Sequence, residues 1–261
     1  MPDGKALQMG TSHFLGQNFA KPFDVKFSDE NNIENYAWQT SWGVSWRLIG
    51  GMIMVHGDDK GLVLPPKVAP IQIVIIPIYY SKEDAKKISE KSNEIEKILL
   101  KKDIRVHVDD RMELTPGFKF HDWELKGIPL RIEIGPKDLA KKNVVIAKRN
   151  TREKSELPIE KISEEILNIL DDIQIEMFNA AKKILQERSV LVENYEKFKK
   201  EIEQGGFLYS PWCGHERCEE KIKEETGADI RVIPFESTKL GSKCVYCGND
   251  SKMTPIFARG Y

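Results

Sequence analysis

The 261-residue chain carries 40 basic and 41 acidic side chains, a formal net charge of −1, so whole-chain positive charge for nucleic acid is excluded and any RNA binding must use local patches. A 40% apolar content suffices for real cores and 31% charge for a soluble surface, with room for two domains, or one domain and a small module. The opening MPDGKALQMG has no apolar core and the longest apolar run, Ala69 to Tyr80, is short and broken by prolines, so neither an export signal nor a membrane partner is expected.

Residues 1–27 read as the continuation of a fold begun elsewhere. Leu7 to His13 packs an amide, hydroxyls and an imidazole into an apolar setting, and such groups need partners from protein or ligand once buried. Turn chemistry around Gly10 and Gly16 is the plainer alternative. Trp42, Val44 and Trp46 then read as a strand; from Arg47 the period changes, placing Leu48, Met52 and Val55 on one side of a short helix. Arg47 sits at this junction, where a guanidinium can clamp a phosphate or stack on a base. Composition alone favours an ordinary junction with a surface arginine. Asp58 and Asp59 would suit a hard cation such as magnesium, but a loop after a helix also collects solvated aspartates, and they are read as structural.

Pro65, Pro66 and Pro70 make a stiff connector. A buried strand over 71–78 is expected next, then a charged helix from Ser81 to Lys102 with Ser81 and Asp84 as a capping signal. Strands over 104–110, 128–134 and 143–149, with a helix opened by Thr115-Pro116, complete an α/β unit with mainly parallel pairing. Its element ends are dense in charge: Asp109, Asp110, Arg111, Lys119, Glu124, Lys126, Arg131, Glu133 and Lys137. A salt-bridged surface is the usual meaning of such density. Here Phe118, Phe120, His121 and Trp123 are interleaved with it, and unpaired RNA bases are read by stacking plus edge hydrogen bonds.

An amphipathic helix is expected from Glu160 to Asn194, on a stripe of Ile162, Ile166, Leu170, Ile173, Met177, Ala181 and Ile184. The last unit holds Cys213, Cys218, Cys244 and Cys247. Cys-x4-Cys with Cys-x2-Cys is tetrathiolate zinc spacing, although the 25-residue gap exceeds the usual ribbon. Four thiolates would leave no open position, so such a zinc is structural. Clustered thiols without an export signal point to the reducing cytoplasm.

Several stretches carry a resemblance. The stretch Thr40 to Pro66, TSWGVSWRLIGGMIMVHGDDKGLVLPP, resembles motif 3 of the class II aminoacyl-tRNA synthetases, in the form found in archaeal/eukaryotic-type prolyl-tRNA synthetases. GTSHFLGQNF (10–19), MVHGDDKGLVLPPKVAP (54–70), PGFKFHDWELKGIP (116–129), the cysteines and the ending FARGY are similar to the same family. One departure is large: motifs 1 and 2 are not in this sequence. The resemblance implies the C-terminal part of a class II catalytic domain with an antiparallel sheet (1–70), an α/β anticodon-binding domain with a mixed sheet (71–160), and a helical linker with a small α+β zinc-binding domain (161–261).

It further implies that Gln8, Thr11, Ser45 and Arg47 hold ATP, with Arg47 as the catalytic cation, and that His13 lines a proline pocket. Ser45 is a shorter hydroxyl than the threonine associated with its position. ATP, Mg2+ and structural Zn2+ are the implied cofactors. Proline, both the anticodon and the acceptor end of tRNA(Pro), and a second copy in a homodimer are the implied partners. Without motif 2 the chain alone is expected to be a poor catalyst. The rival reading is a free-standing, non-catalytic tRNA-binding module, or one subunit of a split synthetase.

Overall fold

A computed structural model describes residues 1–235 and 241–261. Strand β1 (Gly10–Gly16) is followed by a small hairpin, β2 (Lys26–Ser28) and β3 (Glu34–Tyr36), and then by β4 (Gln39–Val44). The hairpin turn is built by Asp29, whose Oδ1 accepts the backbone N–H groups of Asn31 (2.9 Å) and Ile33 (3.0 Å), the local bonding that makes aspartate a turn former. β1 and β4 pair antiparallel from Gly10 opposite Val44 to Phe14 opposite Thr40. Helix α1 (Arg47–His56) follows directly. The sequence expects this strand-to-helix change at Arg47, and it occurs there.

The next elements are β5 (Ile73–Pro77), α2 (Lys82–Leu100), β6 (Val106–Val108), α3 (Pro116–Leu125), β7 (Leu130–Ile134), α4 (Pro136–Ala140), β8 (Asn143–Lys148), β9 (Lys154–Pro158) and α5 (Ile162–Glu187). Ser81 caps α2, accepting from the Asp84 N–H at 3.1 Å, and Thr115 caps α3 through Phe118 N–H at 3.3 Å. The sheet runs β6-β5-β7-β8-β9. β6 and β7 flank β5 in parallel, whereas β8 and β9 return antiparallel. The expected parallel pairing therefore holds for half the sheet. The reason is connection length: residues 135–142 and 149–153 are too short for a parallel crossover, which takes about a dozen residues or more.

One face of this sheet is closed by α2 and α5. Ile73, Ile75, Leu130 and Ile132 meet Ile88, Ile95 and Leu99 of α2 and Ile166, Leu170 and Ile173 of α5. Each such enclosed side chain contributes about 1.5–3 kcal/mol over exposure. On the other face, Val74 and Ile76 lie under Trp123 and Ile128, while pairing puts Arg131, Glu133, Ala147 and Lys154 on the same side. That face is apolar under α3 and charged beyond it. Helix α5 ends at Glu187, short of the expected Asn194, because residues 189–191 pair as a strand.

The last part comprises β10 (Ser189–Leu191), α6 (Tyr195–Glu203), β11 (Phe207–Tyr209), α7 (Glu216–Thr226), β12 (Ala228–Val232) and β13 (Ile256–Arg259), with sheet order β10-β11-β13-β12. Phe198, Ile202, Leu208, Ile222 and Phe257 form its core. The N-terminal segment joins it: Ala6 N–H donates to Arg259 O at 2.8 Å and Tyr261 N–H to Ala6 O at 3.0 Å. The described residues accordingly gather into two units, Ile53–Glu187, and Met1–Met52 together with Arg188–Tyr261. Helix α5, grouped by the sequence with the C-terminal segment, packs on the five-stranded sheet.

Candidate functional site

Strand pairing sorts the β1–β4 ribbon into two faces. Thr11 opposite Gly43 and His13 opposite Ser41 share one; Phe14, Trp42 and Val44 share the other. Gln8, Thr11, Gly43, Ser45 and Arg47 wall an open cleft on this ribbon. Ser45 ties the junction to the neighbouring strand, its N–H (2.9 Å) and Oγ (3.2 Å) both donating to Met9 O. Space is free above Gly43, where an added Cβ would meet nothing within 4 Å. Arg47 opens α1, whose first turn contains no acidic residue. Its charge therefore adds to the positive end of the helix dipole, an arrangement suited to an anion. His13 lies outside the cleft wall, exposed on the same strand face as Thr11.

In the five-stranded unit the sequence-selected charges divide. Asp109, at the end of β6, is enclosed. Arg111 forks onto it (Nε to Oδ1 2.9 Å, Nη2 to Oδ2 2.7 Å) and the Trp123 indole donates to Oδ2 at 2.7 Å. The Lys119 ammonium, 2% exposed, donates to the Asp109 carbonyl at 2.9 Å and lies 3.6 Å from Oδ1. Burial pushes the Asp109 carboxyl up, but the Arg111 and Trp123 hydrogen bonds and the Lys119 charge outweigh it and hold the group well below the usual carboxylate range. Asp109, Lys119 and Trp123 thus spend their bonding capacity inside the protein. Glu133 likewise accepts from Arg131 (2.9 Å) and Lys154 (3.0 Å). Asp110, Phe118, His121, Lys126 and Lys137 remain exposed.

Sequence reasoning missed a cavity of about 200 Å³ on the charged face of this sheet. Val74, Ile128 and Ala147 form its floor, and Lys60, Arg131, Lys148, Arg149, Arg152 and Lys154 surround it with Glu124. Arg131 lies 4.4 Å from the centre of the Phe120 ring. Asp58 grips Arg149 with both oxygens (2.7 and 2.9 Å) and takes a third bond from Arg152 at 2.8 Å. The Arg149 bonds, with Arg152, keep the Asp58 carboxyl well below its ordinary range. A signal was available in the basic tract KRNTREK between two strands, but its partner Asp58 is remote in sequence.

The cysteines converge. All four sulfurs lie within 4.8 Å of one another, with Cys213 at 3.6 Å from Cys218 and 3.8 Å from Cys247. A tetrahedral zinc with bonds of about 2.3 Å would set sulfurs about 3.8 Å apart; a disulfide would need about 2 Å. The donor set fits a closed tetrathiolate. Cys218 lies in the first turn of α7, and Cys213, Cys218 and Cys244 are buried while Cys247 is exposed. Burial pushes the Cys213 and Cys218 thiols up; at Cys244 burial is outweighed by backbone N–H groups of Cys247 and Tyr246, which pull it down.

Two segments of the chain match family models. The family model described as "Anticodon binding domain" matches residues 72–169, and "Prolyl-tRNA synthetase, C-terminal" matches 195–261. The five-stranded sheet unit and the cysteine module thus each resemble a part of the aminoacyl-tRNA synthetases. More narrowly, the chain is similar throughout to prolyl-tRNA synthetases. Over its whole length it is 56% identical to "Proline--tRNA ligase" of Cenarchaeum symbiosum and 49% identical to "Proline--tRNA ligase 2" of Clostridioides difficile, covering 54% of each. A crystal structure of prolyl-tRNA synthetase from Cryptosporidium parvum complexed with L-proline and AMP matches 99% of this chain and 54% of its own, with a TM-score of 0.94 and 42% identity. The chain spans about half the length of the curated relatives it matches.

Proposed function

We propose that this chain supplies the anticodon-reading part and one part of the ATP site of an enzyme that joins proline to tRNA(Pro). The proline carboxylate attacks the α-phosphate of ATP and expels pyrophosphate to give prolyl-adenylate; the terminal ribose hydroxyl of the tRNA then takes the prolyl group and releases AMP. Arg47 and the α1 N-terminus stabilise charge on the phosphates, Gln8, Thr11 and Ser45 position the nucleotide, and His13 borders the proline. Magnesium enters with ATP as substrate, and zinc held by Cys213, Cys218, Cys244 and Cys247 fixes the last module. The functional parts are the ribbon segment with the ATP site, the five-stranded unit with helix α5 packed on its sheet, and the cysteine module, working in a homodimer in the cytoplasm.

The observation that carries this reading is the joint presence of the cleft at Arg47 and the basic cavity in a chain homologous throughout to proline--tRNA ligases. Trp42 (81% exposed), Trp46 (88%), Phe14 and Val44 leave the ribbon beside the cleft uncovered. A two-stranded ribbon with so much exposed apolar surface favours a covering partner, and the remainder of a catalytic domain, in one chain or as a second subunit, fits. A full-length synthetase carrying this segment, given ATP and unfractionated tRNA, should charge tRNA(Pro) with proline. Charging with another amino acid would overturn the assignment.

A further inference from the structure

The turn Gly57 to Gly61 lies before the matched anticodon-binding segment, yet it contributes Lys60 to the lining of the basic cavity, and its Asp58 binds two of the arginines there. It is a tight loop: Asp58 N–H donates to Gly61 O at 3.1 Å and Gly61 N–H to Asp58 O at 3.0 Å. Leu62 N–H then donates to Leu125 O at 3.0 Å and Leu64 N–H to Gly127 O at 3.1 Å, stitching the loop to the end of α3. The approach is so close that a Cβ on Gly61 (φ +130) would lie 2.6 Å from Leu125 O. Asp58 and Lys60 are thus held rigidly, with the Lys60 ammonium 3.9 Å from Glu124.

Two guanidiniums take their orientation from Asp58. Arg149 is nearly enclosed, with Nε on Glu124 O at 3.0 Å and its remaining nitrogens on Asp58. Arg152 is half exposed and sits at φ +63. Asparagine or glycine would adopt that backbone with less strain. An arginine kept there against its backbone preference points to a use for its head group, in line with strain clustering at functional sites.

We propose that Asp58 is a positioning residue for RNA recognition: it orients Arg149 and Arg152 on the cavity wall at the cost of one unit of local positive charge, while Lys60 on the same turn contacts RNA phosphate. This rests on the reading of the cavity as an RNA site. A carboxylate beside phosphates weakens attraction for every RNA equally. Holding the exposed Arg152 fork in register, with the enclosed Arg149 as its anchor, favours only the RNA whose edges match it. Asp58 therefore exchanges general affinity for discrimination.

The test uses the purified 261-residue chain and synthetic stem-loops: one with a proline anticodon, and two with either anticodon guanine replaced by adenine. Wild-type protein should prefer the first. Asp58→Asn should lower that preference about tenfold, within the range for losing one bidentate contact. Binding to the altered loops should tighten, and the salt dependence should steepen by up to about one counterion. Asp58→Glu should recover part of the preference. Should Asp58→Asn fold poorly, Arg152→Gln at the exposed end of the clamp serves instead, and must reduce the preference too. Folded variants keeping the wild-type preference would overturn the role of Asp58 alone. Wild-type protein without any preference would overturn the RNA reading itself.

Discussion

Trp123 and Asp109 are joined at 2.7 Å by an indole-to-carboxylate hydrogen bond that fastens α3 to the end of β6. The same carboxylate faces the buried ammonium of Lys119 and the fork of Arg111. The charged, aromatic stretch Pro116–Leu125 therefore has an inner side that is structural and an outer side, Phe118 and His121, that is exposed.

Asp109→Ala leaves the Lys119 charge uncompensated in the interior and should destabilise the chain by about 3–5 kcal/mol in urea unfolding. Acid should act through the same group. Its folded carboxyl is held below the unfolded value of about 3.9, so its contribution is fully present above that pH and is lost as pH falls through the lower folded value. Trp123 fluorescence along an acid titration reports the loss, and the Asp109→Asn protein should show a flatter curve there.

Gly127 sits at φ +73, and a Cβ there would lie 2.6 Å from the backbone of Leu62. Gly127→Ala should cost at least about 1–2 kcal/mol for the left-handed backbone, with the backbone clash added. A melting curve within 1 °C of wild type would contradict this.

One zinc per chain is expected by elemental analysis, bound through the four cysteines. Because structural zinc contributes folding energy, chelation or Cys218→Ser should lower the melting temperature of the cysteine-bearing unit. The Asp109 acid transition should stay where it is, since Asp109 belongs to the other unit.

In a full-length synthetase carrying this segment, Arg47→Ala should lose proline-dependent ATP–pyrophosphate exchange by about 3–4 kcal/mol in barrier, by analogy with removing one oxyanion donor. Arg47→Lys keeps the charge without the planar fork and should recover only part. Stem-loop binding should be unchanged in both. Exchange within a few-fold of the parent would return Arg47 to an ordinary surface role.

Local signals were legible where physics is local. Ser81 with Asp84 and Thr115 with Pro116 marked two helix starts, because capping needs particular side chains at fixed offsets. The cysteine pairs announced their cluster by spacing. Long-range pairings left no such trace. Asp58 and Arg149 are separated by 91 residues, and no period links them. The bridge between Ala6 and Gly260, which joins the first residues to the last sheet, is equally silent. The stretch around Trp123 shows a different limit: charge interleaved with aromatics describes a stacking platform and a buried ion network alike. Only the approach of Trp123 and Lys119 to Asp109 at the end of β6 separates the two. The antiparallel return of β8 and β9 was readable from short connections, yet strand–helix alternation suggested the opposite.

The most direct measurement exposes the purified chain to unfractionated tRNA at fixed salt and sequences what it retains. If residues 71–160 read a proline anticodon, proline isoacceptors should be enriched over every other tRNA, and the enrichment should shrink when Arg131 at the cavity rim is replaced by glutamine. A retained pool with the composition of the input would contradict the account.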